Sequence, residues 1–340
     1  MENTILLKRL LLAAFAVSMF LSKTISQEIQ IVTSNKNTSL RGLSVVDNKI
    51  IWVSGSKGMV GRSIDGGKTW QWMTVKNFEA RDFRDIEAFD KNTAVIMAIS
   101  EPAVILKTTD GGYNWKIVFA DSTKGMFLDA MNFNFPNEKM GIVVGDPVND
   151  TIYIATTNDE GNSWKPFTFK RIKAEEEEGF FAASGTNIVY NNDGSFIAVS
   201  GGKSSRLLTP NETRRLNLVQ GKTSTGANSI AVKGENAAIV GGDFSDDKDT
   251  TGNCIISNDD LQTWHKPVSA PHGYRSCVTF ITNRSLICCG TSGTDISGDG
   301  GMHWKLISAE SFHVCAKAKK GNAVFLAGTG GKIARLIWKK

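Results

Sequence analysis

The chain has 340 residues, long enough for one large domain or two of ordinary size. Its 33 glycines, 7 prolines and 8 tryptophans point to a β-rich repeat protein rather than a helical one. The formal charge of +5 falls to about +3 without Lys8, Arg9 and Lys23 against Glu2, too mild a balance for a nucleic-acid partner.

The first element is a leader. Lys8 and Arg9 precede an apolar run from Leu10 to Leu21, and small polar residues follow from Ser22. That is the layout of a secretory signal peptide over residues 1–26, with cleavage near Ser26. The apolar run is about 12 residues, short for a membrane span. The alternative is an uncleaved anchor; no Cys follows the run to carry a lipid. The expected location is outside the cytoplasm, periplasmic or extracellular, with membrane contact only through export.

Residues 27–340 read as one domain of repeated units. "EIQIVTS", 28–34, is a spare strand. The first unit follows as four short apolar and β-branched runs, "LRGLSVV", "KIIWVSG", "GMVGRSI" and "TWQWMTV". The second repeats them as "FRDIEAF", "TAVIMAI", "AVILKTT" and "NWKIVFA". Between the third and fourth runs lies an eight-letter box, "SIDGGKTW" at 63–70 and "TTDGGYNW" at 108–115. It returns as "TNDEGNSW" at 157–164, "SNDDLQTW" at 257–264 and "SGDGGMHW" at 297–304.

The box residues are Asp65 and Trp70, Asp110 and Trp115, Asp159 and Trp164, Asp259 and Trp264, Asp299 and Trp304. The aspartates are spaced by 45, 49, 100 and 40 residues, so one box between Asp159 and Asp259 has decayed, near Thr209 to Thr213. Periods of 40 to 50 residues with several strands each are the signature of propeller blades. Glycines at the turn permit positive φ, the aspartate accepts backbone N–H groups, and the tryptophan packs across the blade. The box is therefore read as architecture, with calcium binding or catalysis as the alternative.

Inner strands are expected to start near 39, 81, 127, 182, 226, 273 and 312. The seventh unit stops after three strands, so "EIQIVTS" is expected to complete it and close a ring of seven, with six or eight open because the fourth unit is degenerate. Two insertions break the rhythm. "KRIKAEEEEGFF", with Glu175 to Glu178, is expected to be a solvated loop or short helix. "GDFSDDKDTTGN", 242–253, lacks the spacing of a calcium loop. The five cysteines, Cys254, Cys277, Cys288, Cys289 and Cys315, lack zinc or CxxC spacing and are read mostly as buried thiols in strands. No cofactor and no metal are expected.

The box, Ser/Thr-x-Asp-Gly/Glu-Gly-x-x-Trp, resembles the Asp-box or BNR repeat of the sialidase superfamily. Units such as "LRGLSVVDNKIIWVSGSKGMVGRSIDGGKTW" more closely resemble the photosystem II stability/assembly factor family and its bacterial homologues. That resemblance covers residues 28–338 and implies an all-β, seven-bladed propeller that is exported and binds a partner protein.

Function is expected at the starts of the inner strands, around the mouth of the ring. Arg41 stands 24 residues before Asp65, Arg84 26 before Asp110 and Arg275 24 before Asp299, nearly one phase. Asp85, Asp129, His272, Tyr274 and His313 occupy neighbouring positions. Clustered guanidinium groups hold carboxylates by paired hydrogen bonds. The cluster suits an acidic segment of an envelope or extracellular protein, or an anionic glycan. The bland alternative pairs each arginine with local acids, such as Arg84 with Asp82 or Asp85. Resemblance to sialidases makes a second function possible, glycoside hydrolysis with Tyr274 as nucleophile. It also demands an arginine triad, and the Phe/Tyr-Arg-Ile-Pro motif survives only as "FRDI" at 83–86.

Overall fold

A computed structural model describes residues 26–339, apart from 169 and 192. The leader thus lies outside the described residues, save for Ser26. All regular structure among the described residues is β, arranged as seven antiparallel sheets. Blade one has strands Leu40–Val45, Ile51–Gly55, Met59–Ser63 and Gln71–Thr74, hydrogen-bonded in that order. Blade two repeats the order with Phe83–Ala88, Ala94–Ala98, Ala103–Thr108 and Lys116–Asp121. The inner strands of blades three to seven are Leu128–Phe133, Ile188–Tyr190, Thr225–Lys233, Cys277–Phe280 and Val314–Lys317. Each touches the next, and the seventh touches the first, so the ring is closed.

Closure uses the spare strand. Ser26–Thr33 pairs antiparallel with Ile333–Lys339, from Ser26 opposite Lys339 to Thr33 opposite Ile333. It is the outer strand of blade seven. The two chain segments meet where other blades carry the box turn, which is why this blade has none.

The core sits between blades rather than within one. Trp52 of blade one is fully buried and packs with Phe83, Ile96 and Leu106 of blade two. Its indole N–H donates to Asp90 O at 3.0 Å. All five cysteines are buried and unpaired, on strands of blades five, six and seven.

Each box is one hydrogen-bonded unit. In the first, Asp65 Oδ1 accepts from the N–H groups of Lys68 and Thr69, each at 3.0 Å. The Ser63 hydroxyl donates to Asp65 at 2.9 Å and accepts from Gly67 N at 2.9 Å. Gly66 and Gly67 have φ of 81° and 84°, the left-handed region that favours glycine. Where box letters differ, Glu160, Asp260 and Leu261 hold φ of 62°, 56° and 68° without that freedom. The decayed box is the turn joining Arg206–Leu208 to Thr213–Arg215 in blade four.

Two expectations fail here. Blade four's inner strand begins at Ile188, not near 182. Residues 180–186 instead leave the sheet and cross the axis of the ring. The glutamate run is also not simply solvated. Glu178 is 5% exposed and takes Arg206 through both carboxylate oxygens, at 2.7 and 2.5 Å. Glu175 pairs with Arg215 and with the Ser204 hydroxyl. Glu178 and Gly179 then pair with Gly201 and Gly202, which continue the sheet of blade five. Period counting reads acids as surface; here arginines contributed by blade four draw them inward.

Candidate functional site

The inner strands carry a repeated irregularity at their starts. The register of pairing shifts between Leu40 and Gly42, Phe83 and Asp85, Leu128 and Ala130, and Ala227 and Ser229. The bulged residues are Arg41, Arg84, Asp129 and Asn228. A bulge re-aims one side chain out of the alternation of the strand. These bulges turn polar groups from blades one, two, three and five toward the axis.

There Arg41, Arg84 and Asp129 line a cavity of about 430 Å³, whose wall also includes Tyr274 and His313; Asn228 reaches it only through Tyr274, whose hydroxyl it accepts. Its floor is the segment 180–186. Arg41 Nη1 donates to Ala183 O at 3.3 Å, and Arg84 Nη1 donates to Ala182 O at 3.1 Å. Ser184 donates to Ser276 O at 2.7 Å, and Ile230 N donates to Thr186 O at 3.0 Å. Blades one, two, five and six thus hold the segment as a plug. A second chamber of about 460 Å³ lies beneath it, lined by later residues of the inner strands.

The mouth brings together five of the eight expected ligand residues and leaves out three. Arg275 is fully buried, and all five of its N–H donors are used. Nε and Nη2 bind Asp295 Oδ2, Nη2 also reaches His272 O at 2.9 Å, and Nη1 reaches Tyr274 O at 2.8 Å and Ser292 Oγ at 2.7 Å. The reason is one residue of spacing. In blade one Ser54 pairs with Val60, but in blade six Cys289 pairs with Thr294, a turn one residue shorter. Counting back from Asp299 therefore overshoots the bulge position by one, and a slip of one residue flips the side chain. Ser276, which lines the cavity, holds the position equivalent to Arg41.

His272 follows Arg275 out of the mouth, its Nδ1 2.6 Å from Asp295 Oδ1 in a separate hollow of about 440 Å³. Asp85 is buried below the plug, accepting from Ile86 N and Met131 N, each at 2.7 Å. Burial and the neighbouring Glu87 raise its carboxyl well above the ordinary range.

The arginines that remain are distinct. Arg84 Nε pairs with Asp82 at 2.8 Å, as the bland reading had it, yet its other donors are not consumed by acids among the described residues. Arg41 makes no direct ion pair among the described residues, although Asp82, the partner of Arg84, is close enough to act on its charge. Burial lowers its pKa and the charge of Arg84 lowers it further, so the two guanidinium groups are close enough to repel. Asp129 is fully buried; the N–H groups of Asp146 and Ala182 face its carboxylate without closing hydrogen bonds of normal geometry. Burial pushes its carboxyl well up, Asp146 adds to that, and Arg84 opposes it. His313 is pushed down to about 3 by burial, then by Arg41 and Arg84. It stays neutral beside them, its Nε2 2.9 Å from Thr329 Oγ1.

Tyr274 is 4% exposed, and its hydroxyl donates to Asn228 Oδ1 at 2.7 Å rather than to a carboxylate. Burial raises its pKa. Among the described residues no group of three or more His, Cys, Asp or Glu is placed to hold a metal ion.

Sequence reasoning missed the plug and the aromatic side of the mouth, Phe127, Phe181 and Phe244. The only signal was length: Phe181 and Phe244 lie in the two insertions.

No curated protein matches the chain. Among solved structures, one described as YCF48 bound to D1 peptide matches with a TM-score of 0.64 at 18% identity, over 92% of this chain and 94% of that one. YCF48 from Cyanidioschyzon merolae matches with a TM-score of 0.65 at 17% identity, over 91% and 98%. The WD40 domain of Neurospora crassa Pan2 matches with a TM-score of 0.60 at 11% identity, over 87% and 88%. These likenesses show the propeller fold. The model of the photosynthesis system II assembly factor YCF48 family matches residues 21–333, and the chain belongs to that family.

Proposed function

We propose that this protein is an exported binding scaffold whose mouth seats an acidic segment of an envelope or extracellular protein. One observation carries the reading. Two mutually repelling guanidinium groups from adjacent blades line one cavity, and Arg41 makes no direct ion pair among the described residues, Asp82 being paired with Arg84. A carboxylate placed between them relieves the repulsion and takes paired hydrogen bonds. An anionic glycan offers the same charge. A peptide is favoured because a structure similar to this chain is described as bound to a peptide.

The hydrolase alternative draws no support from Tyr274, which is hydrogen-bonded to an amide, or from a third arginine, which is spent on Asp295. The test is capture from the envelope fraction of the native host on immobilised protein. Partners that bind the wild type should be lost from Arg41→Gln/Arg84→Gln and kept by an exposed control such as Lys124→Gln. Equal capture by all three would overturn the reading. Turnover of fluorogenic sialosides by purified protein would favour the alternative.

A further inference from the structure

The mouth combines two chemistries. On the same cavity wall as the arginines, Phe181 and Phe244 meet edge to face, centroids 5.6 Å apart at 82°. Phe244 meets Tyr274 in the same way, at 6.4 Å and 77°. Phe127 joins them on the cavity wall. Phe244 is 49% exposed, an unusual position for a phenylalanine that is held still.

It is held still. Phe244 N donates to Ser224 O at 3.1 Å. On one side Asp243 takes Lys222 at 3.0 Å, and on the other Ser245 Oγ donates to Asp243 at 2.6 Å. The insertion weighed above as a calcium loop is thus an arm that fixes an aromatic ring at the rim. A rigid, half-exposed ring beside a cavity gives contact area at little cost in conformational entropy.

We propose that the mouth reads a two-part peptide epitope: a carboxylate on the Arg41 and Arg84 side, and an adjacent aromatic or large aliphatic side chain against Phe127, Phe181 and Phe244. The proposal rests on the acid-binding reading above and adds a specificity to it. The cavity of about 430 Å³ is large enough for one such pair of side chains. The apolar wall disfavours small polar residues at the flanking position.

The test is an array of ten-residue peptides with a central aspartate, each of the twenty amino acids being placed in turn at the flanking positions. The best peptides are then titrated by fluorescence polarisation. Wild-type protein should prefer Phe, Tyr, Trp, Leu or Met at one flanking position by about tenfold over Gly or Ser. Phe244→Ala, which removes an exposed ring, should erase that preference while Asp-to-Asn substitution in the peptide still abolishes binding. Phe244→Leu should keep most of the preference. Arg41→Gln/Arg84→Gln should lose the dependence on aspartate. Binding that needs the aspartate but is indifferent to its neighbours would overturn the two-part epitope and leave the acid-binding reading intact. An array with no dependence on the aspartate would remove both.

Discussion

Arg275 shares a phase with Arg41 in the sequence but has a different task, and its removal separates the two. Arg275→Met leaves Asp295 fully buried with the His272 ring nitrogen as its remaining side-chain contact. Removing one member of a buried ion pair costs about 3–5 kcal/mol, because the other charge is left uncompensated. With an unfolding entropy of about 2 cal/mol/K per residue, a ring of this size should lose about 6 °C in Tm. The double variant Arg275→Met/Asp295→Asn removes the stranded charge and should recover about half of that. Scanning calorimetry at pH 7 reads both. Binding of an acidic peptide by Arg275→Met, measured well below its Tm, should match the wild type. A variant that melts within about 1 °C of the wild type yet loses the peptide would refute the argument and return Arg275 to the mouth.

Three further outcomes follow from the geometry. Gly185 has φ of 70°, and a Cβ there would lie 2.3 Å from Asp85 Cγ; Gly185→Ala should cost about 3 kcal/mol, with partial rescue by Asp85→Ala in urea unfolding. Glu160 is exposed at φ 62° where three of the other four boxes have glycine; Glu160→Gly should gain about 0.5–1 kcal/mol, and a lower Tm would show that the turn is unstrained. His313 protonates near 6.5 in the unfolded chain but only near 3 in the fold. Stability should therefore fall as pH drops from 6.5 toward 3, by on the order of 5 kcal/mol in all, and the slope should be shallower in His313→Gln.

Much of the architecture was legible because its signals are local. A box of eight letters encodes its own turn, since Asp65 and Ser63 close hydrogen bonds within four residues. The spare strand was legible because the seventh unit lacked one. The plug was not, because nothing local in "FAASGT" marks a segment that blades one, two, five and six will hold. The mouth was half legible. Bulges at Arg41, Arg84 and Asp129 preserve the phase that period counting detects. A turn one residue shorter in blade six moved Arg275 into the core, and no composition rule registers a shift that small. The aromatic arm stayed hidden because its acids, Asp243, Asp246 and Asp249, dominate the letters around Phe244.

Ser26 and Lys339 are neighbours at the outer rim of blade seven, on the face that carries the box turns. The described chain therefore enters and leaves the ring on the side opposite the arginines. A protein immobilised through this side presents the arginine-lined cavity away from its point of attachment, open to whatever approaches from solution.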